Sequence, residues 1–446
     1  MTRLFGTDGV RGIANRDLTP ELAFRLARAG ASKLSSAHRP TILIGRDTRL
    51  SGEMLEAAMI AGFTSMGADV RVVGVTTTPA VAYLTRMLGA DAGVMISASH
   101  NPFQDNGIKF FSGDGFKLPD EVEDAIEEQI RTECDELPRP DGAGIGRVRR
   151  DEAAVSAYAE HLARTISGDL SGLKIVVDCA NGSASMIAPM LLRHLGAAVT
   201  SIHAGPDGQN INVNCGSTHP ASLQQAVVAN HADAGVAYDG DADRLIAVDE
   251  RGEVVDGDQI MAICATRMLA EGKLPGGTIV ATVMSNYGLD AAMRDAGIRV
   301  VRTAVGDRYV LAEMVRGGYR LGGEQSGHVI FLEHNTTGDG LATSLQLLST
   351  LKSSGKTMSE LAAVMEKFPQ VLKNFPAAHK ERLNDSDAIK RVVADVEAQL
   401  GSDGRVLVRP SGTERLVRVM VEAKRPAAEL EQLVESIGSV IRQELA

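Results

Sequence analysis

Three aspartates at i, i+2 and i+4, Asp239, Asp241 and Asp243, directly follow the apolar run Gly235-Val-Ala-Tyr238. Carboxylates this close repel one another unless a cation neutralises them, and hard oxygen ligands select Mg²⁺ or Ca²⁺ over softer ions. Asp-Gly-Asp-Ala lets the backbone curl until all three face one point. An EF-hand does not fit: Arg244 stands where the sixth loop residue must be glycine, although Glu250 falls at the twelfth. A merely solvated acidic turn is disfavoured by the buried-type strand that leads into it. The three aspartates read as a metal site.

A second loop, Ile96-Ser-Ala-Ser-His-Asn-Pro102, presents Ser99. Asn101-Pro102 forces a turn, because the residue before proline is pushed out of the helical region. A serine on such a turn either accepts a phosphoryl or acyl group or satisfies the turn's own backbone. No Gly-x-Ser-x-Gly elbow occurs in the chain, which argues against an acyl-transfer hydrolase. His100 and Lys109 are near enough in sequence to steady phosphoryl charge or to carry a proton. Glu324, Ser326 and His328, in Gly322-Gly-Glu-Gln-Ser-Gly-His328, suit sugar hydroxyls. In Arg409-Pro-Ser-Gly-Thr-Glu414, the Ser411 and Thr413 hydroxyls and neighbouring N–H groups form either an anion nest beside Arg409 and Arg418 or an ordinary hairpin turn. The glycine-rich Phe5-Gly-Thr-Asp-Gly-Val-Arg-Gly12 holds Arg11. Ser354-Gly-Lys-Thr357 is not a phosphate-binding P-loop, since Thr350 replaces the required glycine, and Gly142-Ala-Gly-Ile-Gly146 is not a dinucleotide fingerprint.

Three βα units must position these loops. Thr41–Gly45 is a strand, Leu55–Ser65 a helix and Gly67–Val73 a strand. Lys174–Asp178, Met186–His194 and Gly196–Thr200 repeat the order, and so do Thr278–Ala281, Leu289–Ala296 and Gly297–Val301. In each unit a glycine closes the helix where a left-handed residue is wanted. Ala90-Asp-Ala-Gly-Val94 recurs letter for letter as Ala232-Asp-Ala-Gly-Val236, each time just before a polar loop, and Gly318-Tyr-Arg-Leu321 takes the same place in the third unit. This is domain duplication rather than a solenoid. A Pro/Gly-rich break spans 138–147, with a helix from Asp151 to Leu162, and the pattern breaks again near 368–376. Beyond lie a helix over 386–400, strands over 405–409 and 416–422, and a helix from Ala427.

At 446 residues the chain has room for about three domains. A net charge of −11 excludes a phosphate-backbone binder, and 4% aromatics without tryptophan exclude stacking platforms for single strands. Cys134, Cys179, Cys215 and Cys264 form no CxxC pair and imply neither a zinc frame nor a disulfide scaffold. No apolar signal core or membrane span is found, so a cytoplasmic location is expected.

A hard metal, a turn-borne serine, gathered arginines and an anion nest fit phosphoryl transfer. The motifs Phe5–Gly12, Ser97–Pro102, Asp239–Arg244, Gly323–His328 and Arg409–Thr413, in this order over nearly the whole chain, resemble the α-D-phosphohexomutase superfamily, and most closely its bacterial amino-sugar branch. The resemblance implies an α/β protein of three related mixed α/β domains plus a smaller C-terminal α+β domain around a central cleft. Residues 1–152 would carry the phosphoserine loop, 153–254 the metal loop, 255–367 the sugar loop and 368–446 the phosphate loop. It further implies that Ser99 is phosphorylated in the active enzyme, and that Asp239, Asp241 and Asp243 hold one Mg²⁺ together with that phosphate. Glu324 and Ser326, with His328 nearby, would grip the sugar, while Arg409, Ser411, Gly412 and Thr413, with Arg418, would hold its non-reacting phosphate. Arg11, Lys109 and Arg244 would steady the moving phosphoryl group, and Lys109 or His100 would transfer a proton. The implied reaction interconverts glucosamine 6-phosphate and glucosamine 1-phosphate through a bisphosphorylated sugar, feeding cell-wall precursor synthesis. Its implied partners are the phosphosugar, a kinase or bisphosphorylated sugar that primes Ser99, and a second subunit. Competing readings are a glucose- or mannose-phosphate mutase, an aspartyl-phosphate phosphatase using Asp239 and Asp241, and a non-catalytic Ca²⁺ binder.

Overall fold

The computed structural model describes residues 3–6, 8–34, 39–131, 137–411 and 414–446, with only the backbone of residue 402. Cys134, Gly412 and Thr413 lie outside the described residues. The chain divides into two compact units, Met1–Met284 with Ile298–Val364, and Ser285–Gly297 with Met365–Ala446.

The first unit holds three mixed sheets. One runs in the order Val10–Ile13, Asp105–Ser112, Ala92–Ile96, Thr41–Arg46, Asp69–Val75, Val148–Arg150. The second runs Val254–Val255, Leu245–Asp249, Ala234–Tyr238, Lys174–Asp178, Ala198–Ile202, and the third Arg299–Thr303, Thr278–Thr282, Leu321–Gly323, Val329–Phe331. All three share one wiring. The first strand of each repeat lies between the second and the third, both parallel to it, and the fourth folds back antiparallel on the third. The Ser99, Asp239–Asp243 and Glu324 loops are therefore equivalent: each is the turn from a third strand into a fourth. Gly67, Gly196 and Gly297 take positive φ of 83°, 91° and 72° at the helix ends, as the spacing predicts.

The repeated pentapeptide has a packing cause. Gly93 pairs with Leu43, Gly235 with Val176 and Gly322 with Val280, so one glycine occupies the same register position in all three sheets. At each, a Cβ would strike the helix lying across the strand. It would meet Thr85 Oγ1 at Gly93, Val227 Cγ2 at 2.5 Å from Gly235, and Met314 Sδ at 2.6 Å from Gly322. The glycine lets the helix lie close on the third strand and fixes where the following loop begins.

In the second unit, Leu416–Ala423 is the centre of a three-stranded antiparallel sheet flanked by Gln370–Pro376 and Gly404–Pro410. Phe375, Ile389, Val417, Val419, Leu430 and Ile437 form its core beneath helices Asp387–Leu400 and Ala427–Glu444. Two sequence expectations change here. The apparent break at 368–376 contains an edge strand, hidden by Lys373, Asn374 and a terminal proline, which edges tolerate. The helix expected over 289–296 in the third βα unit forms as Tyr287–Asp295 but packs with the tail. Asn286 caps it and donates to Glu422 Oε1 at 2.6 Å and to the Phe368 carbonyl at 3.1 Å.

Gly235→Ala must push the Ala221–Ala229 helix off its sheet. Overpacking of this kind costs about 1–3 kcal/mol. We expect a lower thermal midpoint for the variant, and an unchanged one would refute the packing role of the repeat.

Candidate active site

The loops converge because their strands end side by side in the first unit. Ser99 sits at φ 53°, a left-handed conformation rarely adopted by a non-glycine residue. Its hydroxyl donates to Asp239 Oδ2 at 2.6 Å and lies 3.3 Å from His100 Nδ1. What holds it there was not evident in the sequence. The Arg49 guanidinium, 1% exposed, donates to the carbonyls of Ser99 (2.8 Å), Asn101 (2.9 Å), Pro102 and Asp105 (3.1 Å). Arg49 is itself paired with buried Asp47 at 2.8 Å, and Asp47 accepts from Ser97 Oγ at 2.6 Å, the atom that accepts the Ser99 N–H. From the connection between Ala198–Ile202 and the helix Ala221–Ala229 of the second repeat, Asn212 Nδ2 donates to the Ser99 and Asn101 carbonyls at 2.9 and 3.0 Å. The available clue was position: Asp47-Thr-Arg49 leaves the carboxyl end of a parallel strand, where such sheets carry their sites.

Asp239, Asp241 and Asp243 bring one carboxylate oxygen each within 4.8 Å of one another, all three residues being buried. Asp241 Oδ1 and Asp243 Oδ1 are shielded from solvent without a hydrogen-bond partner. Orphaned acceptors in an all-oxygen cluster are what a hard divalent cation satisfies. Burial, then Asp243 and Asp241, push Asp239 well above the usual carboxylate range. Burial acts on Asp241 in the same sense, but Lys109 and the Thr78 hydroxyl overcome it and hold that carboxyl below the range. The contacts are 2.8 Å from Lys109 Nζ and 2.6 Å from Thr78 Oγ1. Arg244 extends from the same loop, its Nε 3.9 Å from Asp243 Oδ1.

Lys109, 2% exposed, is a fixed cation. Burial would lower its pKa, but Asp241, Asp8 at 3.2 Å and Asp243 at 3.7 Å raise it far above the lysine range. His100 is the opposite case: burial, then Arg244 and Arg11, lower it to about 4, so the ring is neutral at pH 7. Arg11, on Val10–Ile13, pairs with Asp8. Asp8 also meets Lys117 at 2.6 Å, and Lys117 pairs with Asp307. Sequence reasoning passed over Asp8, Lys117 and Asp307, whose loops approach only in three dimensions.

The Glu324 loop is strapped to the Asp239–Asp243 loop, where Leu245 N–H donates to the Gly327 carbonyl at 3.0 Å, and the start of the helix Gly340–Ser354 bonds the same aspartate loop, Gly340 N–H to the Ala242 carbonyl at 3.0 Å. Glu324 accepts from the Gly306 N–H at 3.1 Å, Ser326 is exposed, and buried His328 has both ring nitrogens without a hydrogen bond, Nε2 lying 3.7 Å from Asp307 Oδ2. Ser99, His100, Lys109, Arg11, Arg244, the three aspartates and the Glu324 loop thus come together in one unit. The remaining expected residues lie in the second unit. There Arg409 and Arg418 face each other across the hairpin, Arg418 Nε is buried without a hydrogen bond, and Lys380 donates to the Ser411 and Glu414 carbonyls. Like charges paired directly across strands are destabilising, and an anion relieves them.

Four domain families of phosphoglucomutase/phosphomannomutase match the chain: α/β/α domain I over residues 2–136, domain II over 156–252, domain III over 256–368 and the C-terminal domain over 356–438. A phosphoglucosamine mutase of Thermoanaerobacter sp. (strain X514) is 58% identical over 444 residues, covering 98% of this chain and 99% of its own. That of Symbiobacterium thermophilum is 58% identical over 448 residues and the whole of both chains. A phosphoglucomutase/phosphomannomutase family protein from Burkholderia thailandensis shares the fold with a TM-score of 0.83 at 24% identity, covering 100% of this chain and 99% of its own. So does the N-acetylphosphoglucosamine mutase of Aspergillus fumigatus, solved with GlcNAc-6P and magnesium, with a TM-score of 0.65 at 18% identity, covering 99% and 96%. With every domain matched and full-length relatives above half identity, this chain belongs to the phosphoglucomutase/phosphomannomutase family and is an intramolecular phosphotransferase.

Proposed function

We propose that the chain interconverts glucosamine 6-phosphate and glucosamine 1-phosphate by way of phosphoserine 99. The observation that carries the chemistry is the Ser99 hydroxyl, held on a strained turn 2.6 Å from one of three clustered buried carboxylates. The choice of sugar rests on the relatives named phosphoglucosamine mutase at 56–58% identity along the full chain. Glucose and mannose phosphates are the alternative substrates.

Asp239, Asp241 and Asp243 would hold Mg²⁺ beside the phosphate on Ser99, where it would supply charge neutralisation of the phosphoryl oxygens. In the forward direction phosphoserine 99 donates to the free hydroxyl of the bound sugar phosphate, giving a bisphosphorylated sugar, whose other phosphate then returns to Ser99. Arg11, Lys109 and Arg244 steady the moving group; Lys109, fixed as a cation, serves by charge. That leaves His100, neutral and 3.3 Å from the Ser99 oxygen, as the better placed of the two proposed proton carriers. Glu324, Ser326 and His328 orient the sugar, and Arg409, Ser411, Gly412, Thr413 and Arg418 hold the phosphate that is not reacting. Arg49 acts through the Ser99 turn and is a positioning residue. The division at 152, 254 and 367 would assign one such loop to each domain. Ser99 is first primed by a kinase or a bisphosphorylated sugar, and the enzyme works as a cytoplasmic homodimer. Among the described residues no helix is long and apolar enough to cross a membrane.

Three outcomes are expected. Ser99→Ala lowers mutase turnover by about three orders of magnitude or more, the scale of losing a nucleophile. Intact-mass analysis and peptide mapping of active wild-type protein find phosphate on Ser99, and retained activity in the variant sinks the covalent route. Chelation abolishes turnover and added Mg²⁺ restores it, while Asp241→Asn cuts it severely at the same Mg²⁺; indifference to both removes the metal role. Arg49→Met keeps the Ser99 side chain but removes the four carbonyl contacts that hold its turn, so kcat falls at least tenfold with little change in KM. Arg49→Lys should recover part of kcat, and equal kcat in all three proteins would contradict the positioning role.

A further inference from the structure

A second convergence of metal-binding atoms lies in the middle sheet of the first unit, apart from the aspartate trio. Asp178 ends the strand Lys174–Asp178, His203 follows the neighbouring strand Ala198–Ile202, and Cys215 sits in the loop leading to the helix Ala221–Ala229. One carboxylate oxygen, one imidazole nitrogen and the Cys215 sulfur lie within 4.8 Å of one another. Asp178 and Cys215 are fully buried, and the His203 side chain is 31% exposed, so the cluster opens to solvent only past the imidazole. His203 Nδ1 is 3.1 Å from Asp178 Oδ2, yet that nitrogen is shielded from solvent and makes no hydrogen bond. The Asp178 oxygens accept N–H groups from Ala180 and Gly216, each at 2.9 Å, and among the described residues no lysine or arginine pairs with this buried carboxylate. The backbone around the cluster is also strained. Ala180 holds a positive φ of 53° and His203 one of 46°. Strain of this kind persists where a site over-determines the chain.

We propose that Asp178, His203 and Cys215 form a second cation site, selective for borderline divalent ions of the Zn²⁺ or Co²⁺ class. One thiolate, one imidazole and one carboxylate are a donor set that such ions prefer and Mg²⁺ does not. On binding, the Cys215 thiol gives its proton to solvent and the imidazole offers Nδ1 while its proton stays on Nε2. Carboxylate, thiolate and dication then sum to zero charge, which suits a buried site. Bond lengths of 2.0–2.3 Å in a tetrahedral site put ligand atoms roughly 3.3–3.8 Å apart. His203 Nδ1 and Asp178 Oδ2, at 3.1 Å, are already close to that spacing, and His203, the exposed member, is placed to adjust toward the sulfur. The competing account is a purely structural His203–Asp178 pair over a buried thiol.

The test reads the ion and not the mutase activity, so it fails or succeeds independently of the proposed function. The full-length protein, stripped with chelator and held in excess Mg²⁺, is titrated with Co²⁺. One Co²⁺ per chain should bind with a thiolate-to-metal charge-transfer band. Cys215→Ser should abolish the band, and His203→Asn, whose new residue tolerates a φ of 46°, should weaken binding more than tenfold. Cys179→Ser and Asp241→Asn should leave it intact. The absence of a band in the wild-type protein overturns the site, and so does a band that survives His203→Asn unchanged, whether or not Cys215→Ser folds.

Discussion

Buried negative charge is the constraint around which the first unit is organised. Asp239, Asp241 and Asp243 are withdrawn from water within one loop, and carboxylates in that position must be paired or must neutralise. Lys109 resolves part of the problem by meeting Asp241, Asp243 and Asp8 at once. Asp8 in turn engages Arg11 and Lys117, and Lys117 passes the chain of opposite charges on to Asp307. The network draws together Val10–Ile13, Asp105–Ser112, the metal loop and the start of the helix Asp307–Gly317. Two acceptors, Asp241 Oδ1 and Asp243 Oδ1, remain unsatisfied at its end. The network neutralises part of the loop's charge and leaves these two carboxylate oxygens without a hydrogen-bond partner.

The Ser99 loop meets a different requirement. A left-handed serine costs of order 1–3 kcal/mol, and it is kept only if its surroundings over-determine it. Arg49 and Asn212 do so from opposite sides, gripping carbonyls and leaving the Ser99 hydroxyl free to face Asp239. Because Arg49 and Asn212 come from loops of different repeats, the serine is placed by the packing of two repeats against each other. Lys109 and His100 divide the remaining electrostatic work. One ionisable group is surrounded by carboxylates and stays charged; the other is flanked by Arg244 and Arg11 and stays neutral.

Much of this was legible in the sequence because it is local. Three aspartates at alternate positions, a serine on an Asn-Pro turn and a glycine closing each helix are short-range patterns, and each appears in the structure where the spacing puts it. The repeated Ala-Asp-Ala-Gly-Val was visible as a repeat, but its reason, a glycine in fixed register under a crossing helix, needed the sheets. Arg49 was illegible because its partners are carbonyls about 50 residues away, which carry no side-chain signature. Asp8, Lys117 and Asp307 were missed for the same cause, since a pair separated by 190 residues leaves no periodicity to read. The cysteines show the converse. Sequence spacing rejected a zinc frame because it searched for paired thiols, whereas a strand end, a strand-following loop and a long connection bring Asp178, His203 and Cys215 together.

Duplication explains why one wiring serves three tasks. In each repeat the third strand is buried and flat against its helix, so the turn that follows emerges from a rigid support. The turn's sequence is then free to change without disturbing the sheet beneath it. Ser-Ala-Ser-His-Asn-Pro, Asp-Gly-Asp-Ala-Asp-Arg and Gly-Glu-Gln-Ser-Gly-His occupy equivalent places and share almost no chemistry. In the first two a glycine stands four residues before the first polar group, Gly93 before Ser97 and Gly235 before Asp239, and sets the strand's depth and so the height at which each loop begins. In the third repeat Gly322 stands only two residues before Glu324, and the strand is correspondingly short, Leu321–Gly323. Here the backbone bond from Leu245 to the Gly327 carbonyl adds to the short strand as a support for the loop. The Glu324 loop is therefore anchored to the Asp239–Asp243 loop as well as to its own sheet, where Glu324 N–H donates to the His328 carbonyl at 2.9 Å, and a displacement of either loop must be felt by the other.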